Sequence, residues 1–147
     1  MEENSKPVKF VTIGRASFAE IDPYGHVNTQ HYLGHFINHR FTGMREVIGW
    51  DLRSLAKLPV QFVVRKIQIE FLKPLYADHT FIIESYVREF KERTCDVVLT
   101  MTLDGGGQVA SCIMELACVD KKTNSSVPWP EEIVSKFYEN PENQENK

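Results

Sequence analysis

Between Asp22 and Tyr32 the sequence reads DPYGHVNTQHY, a carboxylate, two imidazoles and a carboxamide gathered around a proline and a glycine. A helix entrance needs one capping side chain and tolerates proline and glycine beside it, so the carboxylate and imidazoles exceed what folding asks of such a turn. A carboxylate in that place attacks a carbonyl carbon, or takes a proton from an attacking water. Unpaired backbone N–H groups at a helix start bind the oxygen that becomes negative during the attack. Together these are the two halves of an acyl-transfer site, with Asp22 as the nucleophile or the base.

Each neighbour has a local reason to be there. Pro23 restricts Asp22 to an extended backbone and so fixes the direction of its side chain. Gly25 lets the chain reverse or a ligand approach the backbone. Asn28 is a good N-cap, and Thr29 and Gln30 follow it with the first helical N–H groups. His26 either braces the turn by a hydrogen bond or moves a proton. A bland account exists as well, because Asp before Pro is common in turns and Gly25 and Asn28 serve structure as readily as chemistry.

The surrounding periodicities supply the elements that hold this turn. Val8 to Phe18 reads as a first strand, with Gly14 as a bulge. From Asn28 to Ile48 apolar residues recur at three-and-four spacing (Leu33, Phe36, Ile37, Phe41, Met44, Val47, Ile48), which predicts one long helix ended by Gly49. WDLRSLAKL follows as a loop. The period then changes to two in VQFVVRKIQIEFLKP, HTFIIESYVREFKER, TCDVVLTMTL and QVASCIMELACVD, four further strands. DGGG at 104–107 favours positive φ and joins the last two as a tight antiparallel hairpin. In the final strand Ala110, Cys112, Met114, Leu116 and Cys118 share a wholly apolar face that should meet the helix. Pro130 and two glutamates open a short helix to about residue 139, and residues 140–147 read as a frayed tail. The expected fold is α+β, a five-stranded antiparallel sheet curled around one long central helix, in a single domain over residues 1–147.

Composition bounds the partners. The 147 residues are 42% apolar and 25% charged, as in ordinary globular proteins. No apolar run approaches the roughly 18 residues of a membrane span. A net charge of −3 gives no general attraction to nucleic acid, and the basic clusters KPVK, VRK and FKER are short. The charged start MEENSKPVKF lacks a signal-peptide pattern, and three cysteines, Cys95, Cys112 and Cys118, fit reduced thiols in a cytoplasm better than disulfides. As strand residues these thiols behave as small apolar side chains. No nucleophile elbow, P-loop or dinucleotide motif occurs. His31, His35 and His39 form an i, i+4, i+8 ladder that invites a metal, but no carboxylate or cysteine completes a zinc set within it. On a helical wheel of about 100° per residue they lie opposite the stripe through Leu33, Ile37, Met44 and Ile48, so they are expected to face water or a second subunit.

The pattern D-x-x-G-H-V-N-x-x-x-Y, carried by Asp22, Gly25, His26, Val27, Asn28 and Tyr32, resembles the signature of the 4-hydroxybenzoyl-CoA thioesterase family of hotdog-fold proteins. The likeness continues through FLKPLYADH and the strand order, over about residues 8 to 129. It implies hydrolysis of an acyl-CoA thioester by the motif aspartate, with the helix-start amides near Asn28 to Gln30 polarising the carbonyl. It also implies sites formed between paired subunits, as a homodimer or dimer of dimers, and no cofactor beyond the coenzyme A of the substrate. By the same resemblance Tyr32 packs near the site, His26 shapes the turn, and Arg65, Lys66, Lys91 and Arg93 are candidates for the coenzyme A phosphates. Where many relatives have an acidic residue followed by Ala-Arg in the helix, this chain has Asn38, His39 and Arg40, so no particular relative's substrate carries over.

Two other readings share these residues. A non-catalytic acyl-CoA binding module would bind ligand without cleaving it. A hotdog dehydratase of hydroxyacyl thioesters would need a histidine and an acid around the acyl chain, and Asp22 with His26 mimics such a pair. The closeness of those two in one turn, rather than on opposed elements, favours hydrolysis. Aromatic against aliphatic acyl groups, CoA against carrier-protein thioesters, and nucleophile against general base stay open.

Overall fold

The computed structural model describes residues 5–139. In chain order these form β1 (Phe10–Arg15), α1 (Thr29–Gly43), α2 (Leu52–Lys57), β2 (Val60–Phe71), β3 (Thr80–Phe90), β4 (Thr94–Leu103), β5 (Gln108–Asp120) and α3 (Glu131–Val134). The five strands make one antiparallel sheet in the order β1-β3-β4-β5-β2, so β1 and β2 are its two edges. This is the expected α+β arrangement. The glycines of the β4–β5 connection take φ of +100°, +108° and +101° at Gly105, Gly106 and Gly107, and Leu103 N–H donates to Gly107 O at 2.9 Å. The tail expected at 140–147 lies outside the described residues.

Several boundaries differ from the sequence expectation, each for a local reason. β1 stops at Arg15, and Phe18–Glu20 forms a short 3₁₀ turn. Gly14 is no bulge, because β1 pairs with β3 in unbroken register from Phe10↔Ser85 to Arg15↔Thr80. Its lack of a side chain serves packing instead: a Cβ there would lie 2.6 Å from the Phe81 ring. α1 ends at Gly43 and widens into a single π turn over Met44–Ile48, closed by Gly49 at φ +88°. The segment read as a loop holds α2, whose cap is Asp51 accepting from Ser54 N–H at 2.8 Å. The terminal helix is shorter than expected, α3 giving way to a 3₁₀ turn at Ser135–Phe137.

The helix face is the main correction. α1 buries Tyr32, Phe36, His39, Arg40 and Gly43, while Ile37 and Phe41 are exposed. His39 is 2% exposed, so the ladder does not point as a unit to water or to a second subunit. His31 lies by Gln30, His35 contacts Glu20, and His39 is held by Thr12 and Ser85, three separate environments. Among the described residues no group of three or more His, Cys, Asp or Glu is arranged to hold a metal. The wheel misplaced the face because it scored His39 and Arg40 as polar, whereas β1 and β3 supply their partners. Gly43 lets the helix settle on Phe10, whose ring would meet an added Cβ at 2.1 Å. Ala110, Cys112, Met114 and Cys118 are buried as expected, with Leu116 packed at the margin of the same core.

Candidate active site

The turn that opens α1 is closed on itself before it reaches the helix. Asp22 N–H donates to His26 O at 2.8 Å, Gly25 N–H to Asp22 O at 3.0 Å, and Ile21 bridges Val27. Gly25 takes φ +84°, a conformation that L side chains rarely adopt. Val27 N–H reaches across to Leu75 O at 2.7 Å, tying the turn to the segment between β2 and β3.

Within this ring Asp22 Oδ1 accepts from Tyr24 N–H at 2.8 Å and His26 N–H at 3.2 Å. Those two bonds fix the carboxylate, while Oδ2 has no hydrogen-bond partner among the described residues. An oriented carboxylate with one oxygen to spare suits either direct attack or proton abstraction. The Asp22 charge is felt at Tyr32, whose hydroxyl is pushed above its usual range by burial and, in smaller part, by Asp22, against a lowering contact to the Leu75 backbone.

The helix donors are narrower than the expected span of Asn28 to Gln30. Asn28 N–H is taken by Glu20 O at 2.7 Å, Gln30 N–H by the Asn28 cap oxygen at 3.3 Å, and His31 N–H by Asn28 O at 2.9 Å. The Thr29 N–H is the first-turn donor left without an acceptor among the described residues. It sits at the positive end of a 15-residue helix, the place where an oxyanion gains most.

Around this centre the chain brings Tyr32, edge-on to Phe71 at 5.1 Å, and His26, edge-on to Tyr76 at 5.0 Å, with His79 behind Tyr76 at 5.3 Å. His26 thus meets Asp22 through its backbone N–H, and its ring packs on Tyr76. Glu20, Leu75, Tyr76 and His79 were not singled out in the sequence as site residues. Leu75, Tyr76 and His79 approach by pairing between segments about fifty residues apart, and Glu20 by the reversal of the chain ahead of α1; hydrophobic period carries no signal for either. A groove of about 350 Å³ beside His79, lined by Asp78, Thr80, Leu103, Asp104, Gly105 and Gly106, contains none of the motif residues.

The four basic candidates are not brought to Asp22 within one chain. Lys91 pairs with Asp96 at 3.9 Å and Arg93 donates to Ser126 O at 2.8 Å, beyond the end of β3 remote from the turn, roughly 30 Å away at 3.3 Å per residue. Arg65 sits at a register break in β2, 4.0 Å from Glu115, and Lys66 beside it is exposed. The three cysteines are buried and free, and burial pushes the thiol of Cys95 up to about 12 and that of Cys112 up to about 11. Such thiols hold their protons and are poor nucleophiles.

Comparison with known proteins agrees with this architecture. Residues 16–137 match the family model of the thioesterase-like superfamily. No curated protein sequence matches the chain. Among solved structures, the probable thioesterase YbaW of Escherichia coli superposes with TM-score 0.78 at 23% identity, over 86% of this chain and 95% of its own. The DHNA-CoA thioesterase of Staphylococcus aureus gives 0.77 at 15% identity, over 95% of each chain. A hypothetical protein of the same organism, solved in complex with CoA, gives 0.79 at 16% identity, over 88% of this chain and 82% of its own. At these identities the likeness to each structure is one of fold.

Proposed function

The chain belongs to the thioesterase-like superfamily, and from that premise we propose that it hydrolyses an acyl-CoA thioester to a carboxylic acid and coenzyme A. The observation that carries this reading is the fixed Asp22 carboxylate, with one oxygen unpartnered, beside a helix start whose Thr29 N–H has no acceptor. The substrate carbonyl accepts from Thr29 N–H, which stabilises the negative charge that grows on its oxygen. Asp22 either attacks the carbonyl carbon, giving an acyl-aspartyl anhydride that water then cleaves, or takes the proton of a water that attacks directly. In both routes the carbon–sulfur bond breaks and the coenzyme A thiolate leaves and is protonated. Gly25, Asn28, Gln30 and His26 support the turn, and Tyr32 flanks the acyl group.

The same proposal extends to assembly and place. β2 is a 12-residue edge strand with Val63, Val64 and Phe71 exposed, and a second copy paired along it would cover that edge, whose Phe71 end lies against Tyr32 of the motif. Lys66 and the partner copy's corresponding surface are then the candidates for the coenzyme A phosphates, ahead of Lys91 and Arg93. No described helix is long and apolar enough to cross a membrane; a reducing cytoplasm suits the buried free thiols.

The test is a thiol-release assay over short, long and aromatic acyl-CoA esters with wild type and Asp22→Asn. Wild type releases thiol from at least one class, and the variant is slower by about 100-fold or more. Ligand bound but not cleaved by wild type would replace hydrolysis with a binding role, and hydration of an enoyl thioester would replace it with a dehydratase.

A further inference from the structure

Glu20 lies just outside the motif turn and ties it to the segment before it and to α1. Its backbone carbonyl accepts Asn28 N–H at 2.7 Å, its Oε1 accepts Ser17 N–H at 2.9 Å, and its Oε2 lies 2.7 Å from His35 Nε2 on the second turn of α1. Both side chains are mostly buried, at 14% and 21% exposure for Glu20 and His35. The His35 contact is short yet off the axis of a linear hydrogen bond, since Nε2 has no partner in good hydrogen-bond geometry. The short separation makes it a close polar contact in a shielded place. The His35 ring is itself set edge-on against Phe81 at 4.8 Å, and Phe81 is wedged against Gly14 of β1.

These contacts form a connected chain from sheet to turn: Gly14 and Phe81 seat His35, His35 holds Glu20, and Glu20 O fixes the N–H of Asn28, the N-cap just ahead of the helix. Because Glu20 O occupies the Asn28 N–H, the donor left for a substrate is that of Thr29. We propose that Glu20 and His35 are a positioning pair that selects and holds the Thr29 N–H as the oxyanion donor. This inference rests on the hydrolytic reading given above. A 2.7 Å separation leaves no room for an acyl group between carboxylate and imidazole, so the pair does not straddle a substrate as an acid–base couple. It acts through the turn, and its worth lies in alignment, where a displacement of about 1 Å costs up to 100-fold in rate.

The experiment compares Glu20→Ala, Glu20→Gln and His35→Leu with wild type, by amide hydrogen exchange and by steady-state kinetics on the best acyl-CoA ester of the panel. His35→Leu keeps an apolar body against Phe81 and loses only the polar contact. In Glu20→Ala and His35→Leu, exchange at Val27 and Asn28 rises about tenfold or more while β4 amides stay protected. In both, kcat falls about tenfold with KM within about threefold, and Glu20→Gln restores most of both losses. Unchanged exchange at Val27 and Asn28 in both variants would overturn the proposal, as would kcat and KM both at wild-type values in a protein with faster exchange. If wild type cleaves no ester, the hydrolytic reading falls by itself; with it the oxyanion role falls, and the exchange data still decide whether Glu20 and His35 splint the turn.

Discussion

α1 carries polar side chains at its first turn and again in its middle, and the two regions treat them in opposite ways. At the start, Asp22 Oδ2 and Thr29 N–H have no partner among the described residues, and the flanking Tyr24 is 84% exposed. In the middle, His39 has Thr12 Oγ1 at 2.6 Å and Ser85 Oγ at 2.7 Å, one on each ring nitrogen, and Arg40 donates to Ser85 Oγ at 2.8 Å with its guanidinium 4.4 Å over the Phe10 ring. The proposed hydrolysis would use the unmet hydrogen-bonding capacity in reach of solvent, whereas the met capacity out of reach of solvent serves structure. Residue type alone does not separate the two, since each region offers a histidine beside a charged group.

Asp22→Asn is the largest expected break in this contrast. The asparagine Oδ1 still accepts from Tyr24 and His26 N–H, so the turn and the melting temperature are kept. Turnover falls by about 10² to 10⁴, the range spanned by loss of a general base. A loss below about tenfold, with the fold intact, would put the start of α1 in the same structural class as its middle.

The second break is a pH dependence of stability set by His39. Burial, and after it the neighbouring Arg40, holds this imidazole down to about 4. The unfolded chain binds the proton near 6.5, so the folded state resists a proton that the unfolded state accepts. The stability is fully present above about pH 6.5 and is lost as pH falls toward about 4, by up to about 3 kcal/mol in all and about 2 kcal/mol at pH 5. Protonation would also make both ring nitrogens donors, so Ser85 Oγ would have to accept from His39 and Arg40 together. Urea unfolding of wild type and His39→Gln at pH 7 and pH 5 isolates the effect; equal pH slopes in the two proteins would refute it.

Gly43→Ala tests the packing that gives the middle of the helix its dryness. The new methyl would overlap the fully buried Phe10 ring that also carries Arg40, at a point where backbone of α1 and side chain of β1 both resist movement. The cost is about 1–3 kcal/mol, the usual range for an overpacked core. Denaturant midpoints measure it, and a variant as stable as wild type would mean that Phe10 has room to turn.

How much of this was legible in the sequence follows from the range of the forces involved. The four long strands and the glycine hairpin showed through period two and through DGGG, both local signals; β4 and β5 match their runs end to end, while β2 stops at Phe71 and β3 at Phe90, three residues short of theirs. The motif turn showed because so many polar residue types stand in one short stretch, and the resemblance rested on six of its positions. The buried face of α1 did not show. It depends on Thr12 and Ser85 accepting a histidine that hydropathy scores as polar, and those residues are 27 and 46 positions from His39. Glu20 was invisible for the same reason, since its value comes from reaching His35, a residue fifteen positions onward, across a reversed chain.

Gly34 gives the smallest effect and the sharpest control, because it shares a helix with Gly43 and differs from it in surroundings alone. Apart from the helix's own backbone and the two adjoining residues, no atom lies within 4 Å of an added Cβ at Gly34, and the residue is exposed on the face opposite Phe36 and His39. Alanine there should stabilise the chain by about 0.5–1 kcal/mol, since glycine in a helix interior loses more backbone freedom on folding. The sign is opposite to that at Gly43, so the pair of substitutions separates helix propensity from contact in a single element. Thermal unfolding read at low and at high protein concentration completes the measurement. A gain at both concentrations means that the outer face of α1 is bare, whereas a loss confined to high concentration means that a second copy approaches the helix at Gly34 closely enough to exclude a methyl group.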